Sequence, residues 1–339
     1  MTTKEREITA RVALAESDGR LRRDAVGFSR TPLHVAELHG PWGRQKRWDY
    51  WCVQTPEALL QVTVAHLDYL GIVDVSLVDL GSREVASAVR MLPLGRGLVL
   101  PRDVEGGVIA SRGGGLELRI EPGADGTRIV THARTSRGPI EADVVVLRPA
   151  EEESLNVVVP WSERRYQLTS KHVARPARGR IAGLGKEHVV DPAAGGFGAL
   201  DYGRGVWPAQ TTWNWGTAAC HVPGVGRVGV QLGGAWTDGT GATENGVLLD
   251  GKLDKIGADL RWQYDRRDFM RPWRIEDPAG EVALTFAPVL LRRSRVELLV
   301  ARSVLHLCFG HWSGTVRAFG REIRIERALG WAEEHRARW

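Results

Sequence analysis

At 339 residues, with 43% hydrophobic and 26% charged side chains, the chain is too apolar for disorder, and two globular units of about 150–180 residues are its natural division. Its net charge of +5 hides 46 basic and 41 acidic residues that are interspersed, and its short basic runs, GRLRRD and RRSR, lack the aromatic interleaving of a single-strand groove, so nucleic acid is not an expected partner. No segment approaches the ~20 apolar residues of a membrane span, the charged N-terminus has no signal-like run, and Cys52, Cys220 and Cys308 lie too far apart for a disulfide framework, so a reducing cytoplasm is the expectation.

Along the chain, forty glycines and sixteen prolines punctuate runs with a period of two, the alternation that lets a strand bury one face. RWDYWCVQT and ALLQVTVAHLDYL read as paired strands, and so do IVDVSLVDL and EVASAVRML around a GSR turn. GLELRIEPGADGTRIVTHART predicts two strands about a Pro/Gly/Asp turn, and EADVVVLRP and SLNVVVPW continue the rhythm. Proline, glycine and charge then interrupt it in SERRYQLTSKHVARPARGRIAGLGKEHVVDPAAGGFGAL, which predicts a boundary near residues 165–175 followed by a long loop.

The pattern restarts with TTWNWGTAACHV and RVGVQLGGAW flanking a glycine turn, and Asp250-Gly251 marks a hairpin tip in NGVLLDGKLDKI. DLRWQYD, PWRIED, EVALTFAP, RVELLVARSVLHLCFG and GTVRAFGREIRIERALGWAEE supply further strands, and only LGWAEEHRARW at the end suggests a short helix. Two successive sets of short antiparallel strands predict an all-β chain of tandem barrels or closed sandwiches, residues 1–168 and 169–339, because closure removes exposed edges. Barrels of lipocalin size enclose one small ligand.

GVGRVG, residues 224–229, matches G-x-G-x-x-G, with Glu244 at the distance of a ribose-binding acid; but VQLGGAW alternates as a strand, so these glycines are read as a hairpin turn. No H-E-x-x-H, C-x-x-C or G-x-S-x-G occurs, and neither a metal nor a cofactor is expected.

Thirteen tryptophans remain to be explained, and DYGRGVWPAQTTWNWGTA concentrates three of them beside Asp201, Arg204 and Asn214. Indole joins a large apolar face to an N–H that needs a partner when buried, which suits a ligand-lined interior. A carboxyl group in such a place has a raised pKa and can hold a proton to donate, so Asp201 and Glu244 are the candidate general acids. Arg204, Asn214 and Asn245 are candidates to orient polar groups, and Trp207, Trp213, Trp215 and Trp236 to shape the cavity. The structural alternative is that Asp201 and Arg204 pair to fix a loop, and that Glu244 and Asn245 cap a turn. Alternation sends Trp213 and Trp215 to one face of their strand and Asn214 and Gly216 to the other, and either face could be the inner one.

As an ordered set, RWDYW, LDYGRGVWPAQTTWNW, TENGVLLDGKLDKI, PWRIED, LTFAP, FGHWSGTV and GWAEEHRARW resemble the domain-of-unknown-function family numbered 2804 over most of the chain. More distantly, the chain is similar to the lipocalin-like group that includes hydroxyneurosporene synthase, a carotenoid hydratase, and the AttH-type proteins. That resemblance implies tandem calycin-like barrels and, in some relatives, acid-catalysed water addition or cyclisation on terpenoid or polyketide-derived substrates; it carries over no catalytic residue.

The resulting expectation is an intracellular protein that binds a hydrophobic or amphipathic small molecule, lipid or terpenoid-like, without a cofactor, and that as an enzyme is a hydratase, isomerase or cyclase. A non-catalytic carrier of the same ligand stays open, as does a carbohydrate-binding or interaction module with an exposed tryptophan platform. The oligomeric state does not follow from these residues.

Overall fold

The computed structural model describes residues 4–297 and 301–339 and is all-β, with 64% of the described residues in strands and 2% helical. In chain order come β1 (Val12–Ala13), β2 (Phe28–Ser29), β3 (His34–Val35), β4 (Gln45–Gln54), β5 (Ala58–His66), β6 (Leu70–Asp79), β7 (Glu84–Pro93) and β8 (Ile109–Gly113). They are followed by β9 (Leu116–Pro122), β10 (Gly126–Thr135), β11 (Gly138–Leu147), β12 (Leu155–Ser162), β13 (Arg165–Gly183), β14 (Lys186–Val190) and β15 (Phe197–Val206). The remainder forms β16 (Gln210–Val222), β17 (Gly226–Gly234), β18 (Asn245–Leu249), β19 (Lys252–Ile256), β20 (Arg261–Gln263), β21 (Trp273–Glu276), β22 (Val282–Glu297), β23 (Arg302–Ala318) and β24 (Arg321–Arg338). Residues 298–300 of the run RVELLVARS lie outside the described residues.

Among the described residues, a thirteen-stranded sheet follows the order β7-β6-β5-β4-β15-β13-β11-β10-β9-β8, with β12 and β14 attached beside β13 and β2 beside β12, and a nine-stranded sheet follows β19-β18-β17-β16-β24-β23-β22-β21-β20. One sheet is nearly closed into a barrel and the other is a half-barrel. The ends of the larger sheet meet, with Arg90 Nη1 on β7 donating to Ser111 Oγ on β8 at 2.7 Å. The chain passes between the sheets at residues 207–209, and position 168 lies inside β13.

The long loop expected after residue 165 is instead β13, β14 and β15. Proline does not break β13 because the strand bulges: its register with β15 shifts between His172 and Arg175, where Ala174 takes φ +58°. Before the bulge β13 pairs with β12 and after it with β11 and β14, so one strand serves two sets of neighbours. The helix suggested for the last residues is also replaced, by β24. Residues 329–338 are hydrogen-bonded to β16 on one side and β23 on the other, and this two-sided pairing overrides the local preference of Ala-Glu-Glu.

Turn readings hold at the hairpins. Asp250 and Gly251 have φ of +48° and +81° between the paired Leu249 and Lys252, a two-residue turn of the type Asp-Gly favours. Gly224 and Gly226 close the β16–β17 hairpin, with Val222 opposite Gly226 and a strand following, so the dinucleotide fingerprint lacks its helix.

Each sheet wraps its own core: Trp51, Val62, Val75, Leu168, Leu200 and Tyr202 belong to the first, and Val230, Trp273, Phe286, Trp312 and Ile323 to the second. The outer faces of the two sheets press on each other, with Cys52, Leu59 and Val78 against Trp215, Leu290, Phe309 and Trp331. This second layer explains why ALLQVTVAH on β5 is buried at nearly every position, where a strand solvated on one face would alternate. Burial of each large apolar side chain there contributes roughly 1.5–3 kcal/mol.

Candidate functional site

Asp201 and Glu244, distant in sequence, are brought together by a residue that sequence reasoning missed. Lys171 on β13 lies directly opposite Asp201 on β15, and both point away from the first core toward the second sheet. Lys171 Nζ sits 2.9 Å from Asp201 Oδ2 and 3.3 Å from Glu244 Oε2, with the Trp215 ring centroid 4.3 Å away. Thr169 Oγ1 donates to Asp201 Oδ1 at 3.3 Å.

Glu244 is delivered by the β17–β18 connection, and local chemistry holds it there. Trp236 Nε1 donates to Glu244 Oε1 at 2.7 Å; next in chain, Asn245 Oδ1 accepts from the Gly233 amide at 2.6 Å, and its Nδ2 donates to the Ala258 carbonyl at 3.0 Å. A side chain at Gly233 would place Cβ 2.1 Å from Glu244 Cγ, so glycine makes the space the carboxyl group occupies. On its other side, Lys255 Nζ bonds Thr243 Oγ1 at 2.5 Å and pairs with Glu5, which anchors the loop through the N-terminal segment.

Burial, and then charge, decides whether Glu244 holds a proton. One ammonium group cannot neutralise two carboxylates in a site this dry. Burial raises the Glu244 pKa, Lys171 opposes this, Asp201 adds to it, and the outcome is about 7. Burial by itself would lower Lys171, but Asp201 and Glu244 hold it above the usual lysine value. The cluster is thus a charged pair beside a carboxyl group that exchanges its proton near neutrality. It is 1% exposed at the Glu244 side chain and 10% at Asp201, a narrow approach from solvent.

The other candidates divide between faces. Arg204 does not join Asp201, because residues three apart in a strand point oppositely. It turns into the first core, with Nη2 2.7 Å from Asp49 Oδ1 and its guanidinium 3.8 Å from the Tyr202 ring centroid, so the expected Asp201–Arg204 pair does not form. Trp213 and Trp215 face the first sheet: Trp213 Nε1 donates to Glu333 Oε1 at 2.8 Å and Trp215 Nε1 to Gln231 Oε1 at 2.9 Å. Asn214 points to the inner side of the second sheet, where its Nδ2 reaches the Tyr264 hydroxyl at 3.1 Å.

Trp207 donates to Gln167 Oε1 at 2.6 Å and stacks on Trp236 at 5.7 Å and 18°, with Trp48, Trp161, Trp213 and Trp339 edge-on around it. The indoles therefore pack against one another and form a wall beside the ionic cluster. Between the sheets lies a void of about 10 Å³ lined by Cys52, Gln54, Val173, Ala199, Thr217 and Trp331, room for one water. Among the described residues no three His, Cys, Asp or Glu side chains converge as metal ligands do. His172 is buried on the opposite face of β13, with Nε2 3.0 Å from Ser170 Oγ, and burial pushes its pKa down to about 3.

The fold and the site define an all-β protein of two facing curved sheets with an ionic cluster held between them. The chain belongs to the family described as Domain of unknown function (DUF2804), whose model matches residues 5–339. It is similar to two solved structures at 11% identity. One is kievitone hydratase from Nectria haematococca, with 90% of this chain and 94% of that one covered and a TM-score of 0.45; the other is CghA with Sch210972, with 96% and 97% covered and a TM-score of 0.43. None of the curated proteins matches the chain.

Proposed function

We propose that the protein is a cofactor-independent general-acid enzyme acting on an apolar or amphipathic small molecule, a hydratase, isomerase or cyclase, with Glu244 as proton donor. The observation that carries this reading is a carboxyl group buried between two sheets, with a pKa of about 7, beside an ion pair and a wall of indoles. A donor poised near ambient pH is what proton transfer to a weakly basic carbon needs. The proton on Glu244 passes to one alkene carbon, whose π pair forms the new C–H bond and leaves a cation on its neighbour. Water addition, attack by a second alkene or loss of a proton then gives hydration, cyclisation or isomerisation.

Trp215 already offers its face to Lys171, so Trp207, Trp213 and Trp236 are the indoles left to stabilise the cation through their π faces. Asp201 supplies the compensating negative charge. The low exposure of Trp207, Trp215 and Trp236, at 2%, 7% and 7%, disfavours a carbohydrate platform built from them.

The test is incubation with a panel of unsaturated terpenoids and fatty acids in deuterated water, read by mass spectrometry. The reading expects carbon-bound deuterium with the wild type and its loss in Glu244→Gln, with binding of the same compound retained. Unchanged turnover in Glu244→Gln would remove Glu244 from the chemistry. A second reading, that the cluster is a structural tie between the sheets, is favoured by one observation: the nearby void is only about 10 Å³. It expects no compound bound by either protein and a change in stability alone.

A further inference from the structure

On the side of β16 and β24 away from the ionic cluster, the same two strands, with β23, line a cleft of about 800 Å³ at one end of the second sheet's inner face. We propose that this cleft binds an anionic amphiphile, a molecule with a phosphate or carboxylate head on a short apolar tail. Its volume falls in the ~300–1,000 Å³ range of small-molecule sites.

The register builds the site. Gln210, Arg338 and Arg302 lie in one row across β16, β24 and β23, and Thr212, Arg336 and Val304 lie in the next. Because side chains alternate, these residues share a face with Ala332, Cys308 and Trp312, which belong to the second core. One face therefore runs from a packed apolar interior to a basic mouth.

Four guanidinium groups, Arg266, Arg302, Arg336 and Arg338, line the cleft against the two carboxylates Glu297 and Glu334, leaving two positive charges in excess. Glu334 is buried and occupied by Arg266 at 2.9 Å, Arg336 at 3.0 Å and the Tyr264 hydroxyl. Glu297 is taken by Arg302 and Arg295, each at 2.9 Å. Among the described residues, Arg338 makes no ion pair within 4 Å and its charge reaches Glu297 only at longer range, so its guanidinium donors face the mouth of the cleft. Beside this charge lies an apolar wall, where Phe269, 3% exposed, stacks on His306 at 4.0 Å and 9° and Val304 continues the surface. Among the described residues, His306 Nδ1 has no hydrogen-bond partner. A head on the arginines and a tail against Phe269 and Val304 uses both halves of the lining.

Calorimetric titration of the full chain with octyl phosphate tests this, with octanoate as the carboxylate probe and methyl phosphate and octanol as head-only and tail-only probes. Octyl phosphate and octanoate are expected to bind the wild type at least about tenfold more tightly than either half-probe, and more weakly as ionic strength rises. Arg338→Glu, at an exposed position, should weaken octyl phosphate at least about fivefold, and Val304→Trp, which fills the cleft without changing its charge, should do the same. Glu244→Gln should leave this binding unchanged, which separates it from the reaction proposed above. Equal affinity for octanol and octyl phosphate, or wild-type affinity in both cleft variants, would overturn the proposal.

Discussion

Glu244 couples the candidate site to folding through its proton. The carboxyl ionises near 4.5 in an ordinary setting and near 7 in the folded chain, so between those values the folded state binds more protons than the unfolded one. Its stabilising contribution is complete below about pH 4.5 and lost as pH rises through about 7, a difference of about 3 kcal/mol. Urea denaturation across this range should show wild-type stability falling relative to Glu244→Gln by that order; parallel curves would mean that Glu244 is not held protonated.

Glu105 acts in the opposite direction. Burial by itself would raise its pKa, but Arg175, His172, Thr127 and Arg148 hold it down at about 2, so its contribution is lost as pH falls from the usual carboxylate range through about 2. Lys171 invites a second substitution. Lys171→Met strands two carboxyl groups in the dry interface and should cost about 3–5 kcal/mol, and adding Asp201→Asn and Glu244→Gln should restore most of it, because no charge is then left unpaired. Denaturant midpoints of the single and triple variants measure this. Lys171 was legible only as a charge in SKHV, inside the stretch read as a boundary, and only a strand could put it opposite Asp201.

At the scale of elements, the β17–β18 connection depends on space as well as on hydrogen bonds. Gly233→Ala brings a methyl against Glu244 Cγ and should destabilise the protein by about 1–3 kcal/mol while shifting the pH window of the Glu244 effect. Thermal unfolding at several pH values measures both, and an unshifted window would show that the loop yields without moving the carboxyl group. Most strands are readable from alternation, and the Asp250-Gly251 turn from two residues. The misreadings share a cause. Pro176 in β13 is tolerated through a bulge and a change of partners, and the Ala-Glu-Glu of β24 is held extended by neighbours on both sides. Neither signal exists within a window of ten residues.

For the whole molecule, packing of the outer faces makes each sheet part of the other's environment. Trp331 contacts both Tyr50 on the first sheet and Trp215 on the second, at 5.9 and 5.2 Å between ring centroids. Trp331→Ala should cost about 3–5 kcal/mol, as removal of a buried indole does. Near- and far-ultraviolet circular dichroism should lose signal in one transition, because the indole clusters report on both sheets at once. Two separated transitions would show that the sheets unfold independently. Sequence by itself determined the all-β class and the hairpin tips, since period-two alternation and turn chemistry are local properties. Only tertiary structure decided that Lys171 joins Asp201 and Glu244, that Arg204 turns away to Asp49, and that Trp213 and Trp215 face the other sheet while Asn214 faces inward. Those outcomes depend on strand register and on which sheet covers which face, and both are set by contacts between residues far apart in the chain.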